Sequence, residues 1–331
     1  MDLGLLIAVI IAALAYDFMN GMHDCANAIA TVVSTRALTP RQALALARTL
    51  NIVGAFASTA VAKTIGRDIV EPSQVKMGMV LAACLGAIIW NIITWYLGLP
   101  SSSTHALVGG VVGVVLVHLG PTALKPHGLV KVATGMVLSP CVGFLCGLIV
   151  FTVTKWVCHL CNIRQATGDR VFRPLQILSS SYMAFSHGTN DTQTAMGMIT
   201  MALVRYGVLA SFKVPFWAIL ACGVAMGLGT QVGGWRIIRT MGMRIASLRT
   251  VHGFSAEMAA ASVILVSALF GRPVSTTHAI SASIVGVGSV NSLSMVRWGI
   301  AGRIVTAWIL TVPGAACIAV LVTYVLRWVG V

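Results

Sequence analysis

Charge is scarce in this chain, and acid is scarcest. Of 331 residues only 9% are Asp, Glu, Lys or Arg, against about 25% in an ordinary soluble protein. Eight acids stand against 22 bases, a formal charge of +14. Aromatic residues are also few, at 7%. None is interleaved with the basic clusters as a base-stacking platform requires, so nucleic acid is not the partner of that excess. The eight cysteines include Cys25, Cys141 and Cys222, scattered through apolar segments. They form no disulfide framework of the kind that staples small secreted domains. Cys158-His159-Leu160-Cys161 is a single CxxC and does not define a metal site. What the chain has is apolar: 57% hydrophobic residues and a mean hydropathy of +0.91. Too little polar surface remains to cover a soluble domain, so the solvent is lipid. Soluble enzymes and disordered tails are excluded with it. Leu3 to Ala15 does not read as a cleavable signal peptide, because no base precedes it and no small-residue cleavage site follows.

The bases fall between apolar blocks. Arg36, Arg41 and Arg48 form one cluster, Lys155, Arg164, Arg170 and Arg173 a second, Arg236, Arg239, Arg244 and Arg249 a third. Short loops rich in Lys and Arg stay in the cytoplasm. Apolar segments at 3–35, 41–62, 76–98, 100–119, 130–157, 174–203, 215–235, 254–270, 273–290 and 299–327 approach the ~20 residues that a crossing helix needs. Starting outside, this count puts all three clusters inside and both termini outside. The segments 100–119 and 273–290 are short and begin with Pro, so each is also compatible with a re-entrant hairpin. The expected fold is an all-α integral membrane protein of about 10–12 membrane segments in the cytoplasmic membrane.

The chain is duplicated. Asn20-Gly21-Met22-His23-Asp24-Cys25-Ala26-Asn27-Ala28 parallels His187-Gly188-Thr189-Asn190-Asp191-Thr192-Gln193-Thr194-Ala195, offset by 167 residues. Pro100-Ser101-Ser102-Ser103-Thr104-His105-Ala106 parallels Pro273-Val274-Ser275-Thr276-Thr277-His278-Ala279, offset by 173. Five crossings per half is an odd number, so the second half enters the membrane from the opposite side. The sequence predicts an inverted repeat with broken helices: residues 1–157, a short cytoplasmic linker at 158–173, and residues 174–331. This is a common architecture of secondary transporters.

Four of the eight acids lie in loops or near ends: Asp2, Asp68, Glu71 and Asp169. The other four, Asp17, Asp24, Asp191 and Glu257, lie in apolar segments, where a carboxylate costs several kcal/mol unless paired, cation-bound or protonated. Asp24 and Asp191 are equivalent, and each is expected in a helix broken beside it. Carboxylate plus freed carbonyls suits a small cation, H⁺ or Na⁺. Asn27, Asn190 and Thr194 are further candidate ligands. The Ser/Thr motifs start helices, and a helix N-terminus offers unpaired N–H groups to an anion. Two facing cradles would hold a tetrahedral oxyanion, although Ser and Thr also serve as plain N-caps. His105 and His278 are candidate proton relays, as is Glu257. His23 and His187 flank the aspartates but occupy inequivalent positions.

These motifs resemble those of the inorganic phosphate transporter family, here as a short bacterial-type member. That family's G-A-N-D-V-A-N-A pattern stands as GMHDCANA at 21–28, and G-T-N-D-T-Q-K-A-M-G as GTNDTQTAMG at 188–197. P-V-S-T-T-H-A is whole at 273–279. The resemblance spans both halves. It implies a phosphate–cation symporter and no enzyme, with inorganic phosphate and the bilayer as partners and no resident cofactor or metal. It places phosphate at Ser103, Thr104, Thr276 and Thr277, with Ser275 in the same motif, and the cation at Asp24, Asn27, Asn190, Asp191 and Thr194. His23 replaces the family's usual Asn, Asn51 stands where many relatives carry Glu, and the central loop is short. Sulfate transport and divalent-metal transport are the alternatives, and a homodimer is left open. An intramembrane aspartyl protease would leave the duplicated Ser/Thr motif without a role.

Overall fold

The structure, a computed structural model, describes residues 3–163 and 165–330. Asp2 and Arg164, counted above among the charges, lie outside the described residues. Those described are almost wholly helical, with two isolated β-bridges. The first half runs α1 (Leu3–Ser34), α2 (Pro40–Gly54), α3 (Ala60–Lys63), α4 (Met77–Leu97), α5 (Ser103–Leu119) and α6 (Pro126–Leu160). The second runs α7 (Gln165–Tyr206), α8 (Phe216–Val232), α9 (Trp235–Arg239), α10 (Thr250–Leu269), α11 (Thr276–Ser289) and α12 (Trp298–Trp328).

The correspondence extends to irregular features. A π-helical turn follows α3 at Thr64–Asp68 and α9 at Thr240–Arg244. The bridge Val70–Leu124 recurs as Ala246–Val296, each beside an equivalent bond, Lys125 N–H to Ile69 O at 2.8 Å and Arg297 N–H to Ile245 O at 2.9 Å. Before each Ser/Thr motif the helix is closed by a left-handed glycine, Gly98 (φ 65°) and Gly271 (φ 66°). Glycine adopts this conformation without the Cβ penalty. The closing bonds match as well: Leu99 N–H to Thr94 O and Arg272 N–H to Ser267 O, both 2.9 Å.

The halves exchange partners. Helix α5 packs on α12 and α11 on α6, while α1 packs on α8 and α7 on α2. The motif glycines make these crossings close. A Cβ on Gly21 would strike the Met226 carbonyl, and one on Gly188 the Asn51 carbonyl. Small residues at such crossings let two backbones approach.

Five helices (α1, α4, α6, α10 and α12) are individually long and apolar enough to cross a membrane; α8 with α9, bent by 64° at Gly233 and Gly234, makes a sixth. That is fewer than the ten apolar segments of the sequence. Helices α5 and α11 are short, and the 42-residue α7 carries a polar central stretch that lowers its apolarity. Helices α6 and α12 lie outermost, with Leu145, Ile149, Val153, Ile309, Leu321 and Val325 exposed. Such a face requires a lipid environment, and the chain is a multi-pass membrane protein.

Two expectations need correction. The helices are not broken at Asp24 or Asp191: α1 and α7 run through both motifs; the buried Asn and Thr side chains bond across to neighbours, and the glycines let those neighbours approach without interrupting the backbone ladder. The linker expected over 158–173 is also much shorter. Helix α6 continues to Leu160, and α7 begins at Gln165, so most of that polar stretch is the first turns of a helix that extends past its apolar part.

Candidate functional site

Helices α1 and α7 cross the middle of the molecule, and each touches both α5 and α11. The two Ser/Thr motifs therefore deliver their helix N-termini to the same place as the two aspartates. The His105 and His278 rings, on the third residues of α5 and α11, lie edge to face at 4.9 Å between centroids. Trp308 stacks on His278 at 4.0 Å and donates to the Pro100 carbonyl at 3.1 Å, tying α12 to the first motif.

Asn27 links the motifs. Its amide donates to the hydroxyls of Thr276 and Thr277, both at 3.0 Å. The Thr276 hydroxyl in turn donates to Asp191 Oδ2 at 3.1 Å, and that of Thr277 to Asp24 Oδ1 at 3.4 Å. Asn190 donates to Asp191 Oδ1 at 2.6 Å and to the Val274 carbonyl at 2.9 Å. All seven residues are buried. Asp24, His187 and Asp191 offer ligand atoms within 4.8 Å of one another, a spacing that can hold a cation.

The cradles are unequal. Ser103 and Thr104 at the start of α5 are buried, and neither hydroxyl has a hydrogen-bond partner. Thr276 and Thr277, equivalent to them, are turned to the carboxylates instead. Ser275 is the N-cap of α11 and accepts from His278 N–H at 3.1 Å, as Ser102 caps α5 through His105 N–H at 3.3 Å. A capping hydroxyl accepts from an orphan backbone N–H and keeps its own proton to donate. Thr194 lies 3.3 Å from the Tyr16 hydroxyl and 2.7 Å from the Asp191 backbone carbonyl, and no bond reaches a carboxylate. Tyr16 in turn donates to the Ser103 carbonyl at 3.0 Å.

Glu257, on α10, stands apart and faces Thr31, one turn beyond Asn27 on α1. It accepts from Thr31 and Ser179 in two very short bonds and from Gln176 at 3.4 Å. Three residues, His23, His187 and Asn51, matter more than the sequence suggested. His23 Nδ1 lies 2.6 Å from Asp24 Oδ1, and its Nε2 3.0 Å from the Thr94 hydroxyl. His187 Nε2 lies 3.4 Å from Asp191 Oδ2, and its Nδ1 3.1 Å from Asn51 Oδ1. Asn51 donates to Thr230 at 2.9 Å. Each carboxylate thus has a histidine, though at inequivalent positions. The duplicated pattern hid this, since it rewards only matched positions.

Chemically, the arrangement joins an anion-directed pair of helix ends to a carboxylate pair inside a lipid-solvated fold. These are the features of a membrane transporter for a charged solute. The family model described as the phosphate transporter family matches residues 20–319, and the chain belongs to that family. A Bacillus subtilis protein called "Probable low-affinity inorganic phosphate transporter" is 44% identical over 328 residues, 98% of each chain. A Rhizobium meliloti protein of the same name is 44% identical, covering 96% of this chain and 95% of its own. A Mycobacterium tuberculosis protein of that name is 40% identical over 100% of this chain and 79% of its own. A solved structure titled "The sodium-dependent phosphate transporter" superposes with a TM-score of 0.88 at 28% identity, over 98% of this chain and 100% of that one.

Proposed function

We propose that this protein imports inorganic phosphate across the cytoplasmic membrane by symport with a cation. Phosphate binds between the N-termini of α5 and α11. Ser103 and Thr104 supply free hydroxyls and the helix ends supply backbone N–H groups. The cation binds beside it at Asp24 and Asp191, helped by Asn190 and by the hydroxyls that Asn27 orients. Carrying both together offsets the charge that either would bring into the low-dielectric interior. The observation that carries this reading is the hydrogen-bonded chain from Asn27 through Thr276 and Thr277 to the two carboxylates. The same hydroxyls touch both sites, so occupancy of one alters the other.

Transport then follows from alternating access. The two halves, α1 to α6 and α7 to α12, act as inverted repeats with both termini outside and rock about the central site. Labelled phosphate uptake into proteoliposomes, with Na⁺ and pH gradients imposed separately and sulfate as competitor, tests the reading. Gradient-driven phosphate accumulation resisted by excess sulfate supports it. Sulfate accumulation at equal rate makes the protein a general oxyanion permease.

The spacing of Asp24, His187 and Asp191 favours a second reading, in which a divalent cation accompanies phosphate as cargo. Phosphate uptake that requires Mg²⁺ or Zn²⁺ and carries it stoichiometrically distinguishes this from simple symport.

A further inference from the structure

Asp17 is a buried acid that the site above does not use. It lies on α1 two turns before Asp24. Residues 17, 24 and 31 are spaced by seven, so they share one helix face in steps of about 10 Å. Asp24 belongs to the carboxylate pair, and Thr31 holds Glu257. Asp17 extends this line toward the N-terminal end of α1.

Its surroundings differ from those of the other buried acids. Asp24 receives His23 and Thr277, Asp191 receives Asn190 and Thr276, and Glu257 receives Thr31, Ser179 and Gln176. Asp17 is 0% exposed, and neither of its oxygens has a hydrogen-bond partner within bonding distance. Among the described residues no base pairs with it. Asn20, one turn on, faces the same carboxyl. Both polar atoms of Asn20 also lack bonds at full burial, and so do both of Asn91 on α4. Helix α4 runs alongside α1 in the same direction: Leu5 and Met77 line one pocket at one end, and His23 meets Thr94 at the other. Asn91, one turn before Thr94, therefore comes level with Asn20.

The repeat does not carry this acid into the second half. Its counterpart in the second half is Ala184, at the 167-residue offset of the aspartate motif. Three buried polar side chains within about one helical turn, none with a partner at full bonding distance, would be costly as mere packing. Two carboxylate oxygens and two amide oxygens make a hard-oxygen donor set. A single carboxylate neutralises a single positive charge, which selects a monovalent ion at this depth.

We propose that Asp17, Asn20 and Asn91 form a second cation site, of a size and charge suited to Na⁺, one step along α1 from the central carboxylate pair. Its role as a station for the co-transported ion rests on the symport reading; its existence as a binding site does not. The test is equilibrium binding of ²²Na⁺ to purified protein in detergent without phosphate, with phosphate uptake into proteoliposomes followed in parallel. Asp17→Asn keeps the shape and removes the charge. It is expected to lose one bound Na⁺ per chain relative to wild type, while Asn20→Ala weakens the same ion by about tenfold. Wild-type stoichiometry and affinity in Asp17→Asn overturn the proposal, as does a wild-type protein that binds no Na⁺. If Asp17→Asn fails to fold by thermal melting, Asn20→Ala and Asn91→Ala decide: unchanged Na⁺ affinity in both overturns it. If wild-type uptake proves independent of any cation gradient while the Asp17-dependent ion still binds, the symport reading falls and the site stands.

Discussion

Asn27 and Thr277, 250 residues apart, are joined by a 3.0 Å hydrogen bond from the amide to the hydroxyl. The bond ties the aspartate motif of one half to the Ser/Thr motif of the other. Because Thr277 accepts from Asn27, its own proton is free for Asp24. The amide thus fixes which way the hydroxyl points. Asn27→Ala releases Thr276 and Thr277 together, and is expected to weaken cation and phosphate affinity jointly by about tenfold each, at about 1.4 kcal/mol per site. Separate titrations of Na⁺ and phosphate in binding assays check it; an effect on one ligand alone contradicts this coupling.

Asp191→Asn keeps the volume and removes the charge. Labelled phosphate uptake is expected to fall to background while the protein still reaches the membrane and melts cooperatively. Uptake at the wild-type rate removes Asp191 from the mechanism.

Thr104→Val deletes a buried hydroxyl that bonds to no protein group. A hydrogen bond to a charged partner contributes about 1.5–3 kcal/mol. Phosphate affinity is expected to drop roughly tenfold to a hundredfold, with the melting temperature nearly unchanged. Thr277→Val differs, because it also unbonds Asn27 and Asp24, so it should affect stability as well as binding. Comparing melts and phosphate KM for the two variants separates a free donor from an engaged one.

Gly21→Ala places a methyl against the Met226 carbonyl at the crossing of α1 and α8. Overpacking of this kind costs about 1–3 kcal/mol, and a lower melting temperature in detergent is expected. Gly302→Ala on exposed α12 meets nothing within 4 Å, and helix propensity favours alanine there. Equal destabilisation of both variants would contradict the crossing as the cause.

His23→Asn restores the residue usual in the family's pattern and removes the ring 2.6 Å from Asp24. Cation affinity is expected to change by more than phosphate affinity, because the Asp24 carboxylate loses its nearest side-chain partner. Unchanged cation affinity in a direct binding titration removes His23 from the cation site.

Much of this was legible in the sequence because it was duplicated. The matched offsets identified Asp24 with Asp191 and Ser103 with Thr276, and burial of polar side chains in apolar segments marked them. Three things were not legible. Continuity of α1 and α7 through the motifs was hidden, because Gly and Asn signal breaks in sequence and bonds to neighbouring helices are invisible there. The bonds made within P-V-S-T-T-H were hidden too, since every hydroxyl there reads alike in sequence; geometry shows Ser275 capping α11 and Thr276 turned to Asp191. The histidine partners His23 and His187, and Asn51 behind the latter, were underrated because they break the repeat's symmetry.

The exchange of partners between α5 and α12, and between α11 and α6, bears on how the protein is made. When the ribosome has released only the first half, α5 has no α12 to rest on and α6 no α11. The Ser103 and Thr104 hydroxyls then face an unfinished assembly. Biogenesis must therefore shelter a half-built protein in the bilayer until the last helix arrives. Premature termination near the end of the chain, with α12 missing, should strip α5 of its support and send the product to membrane quality control.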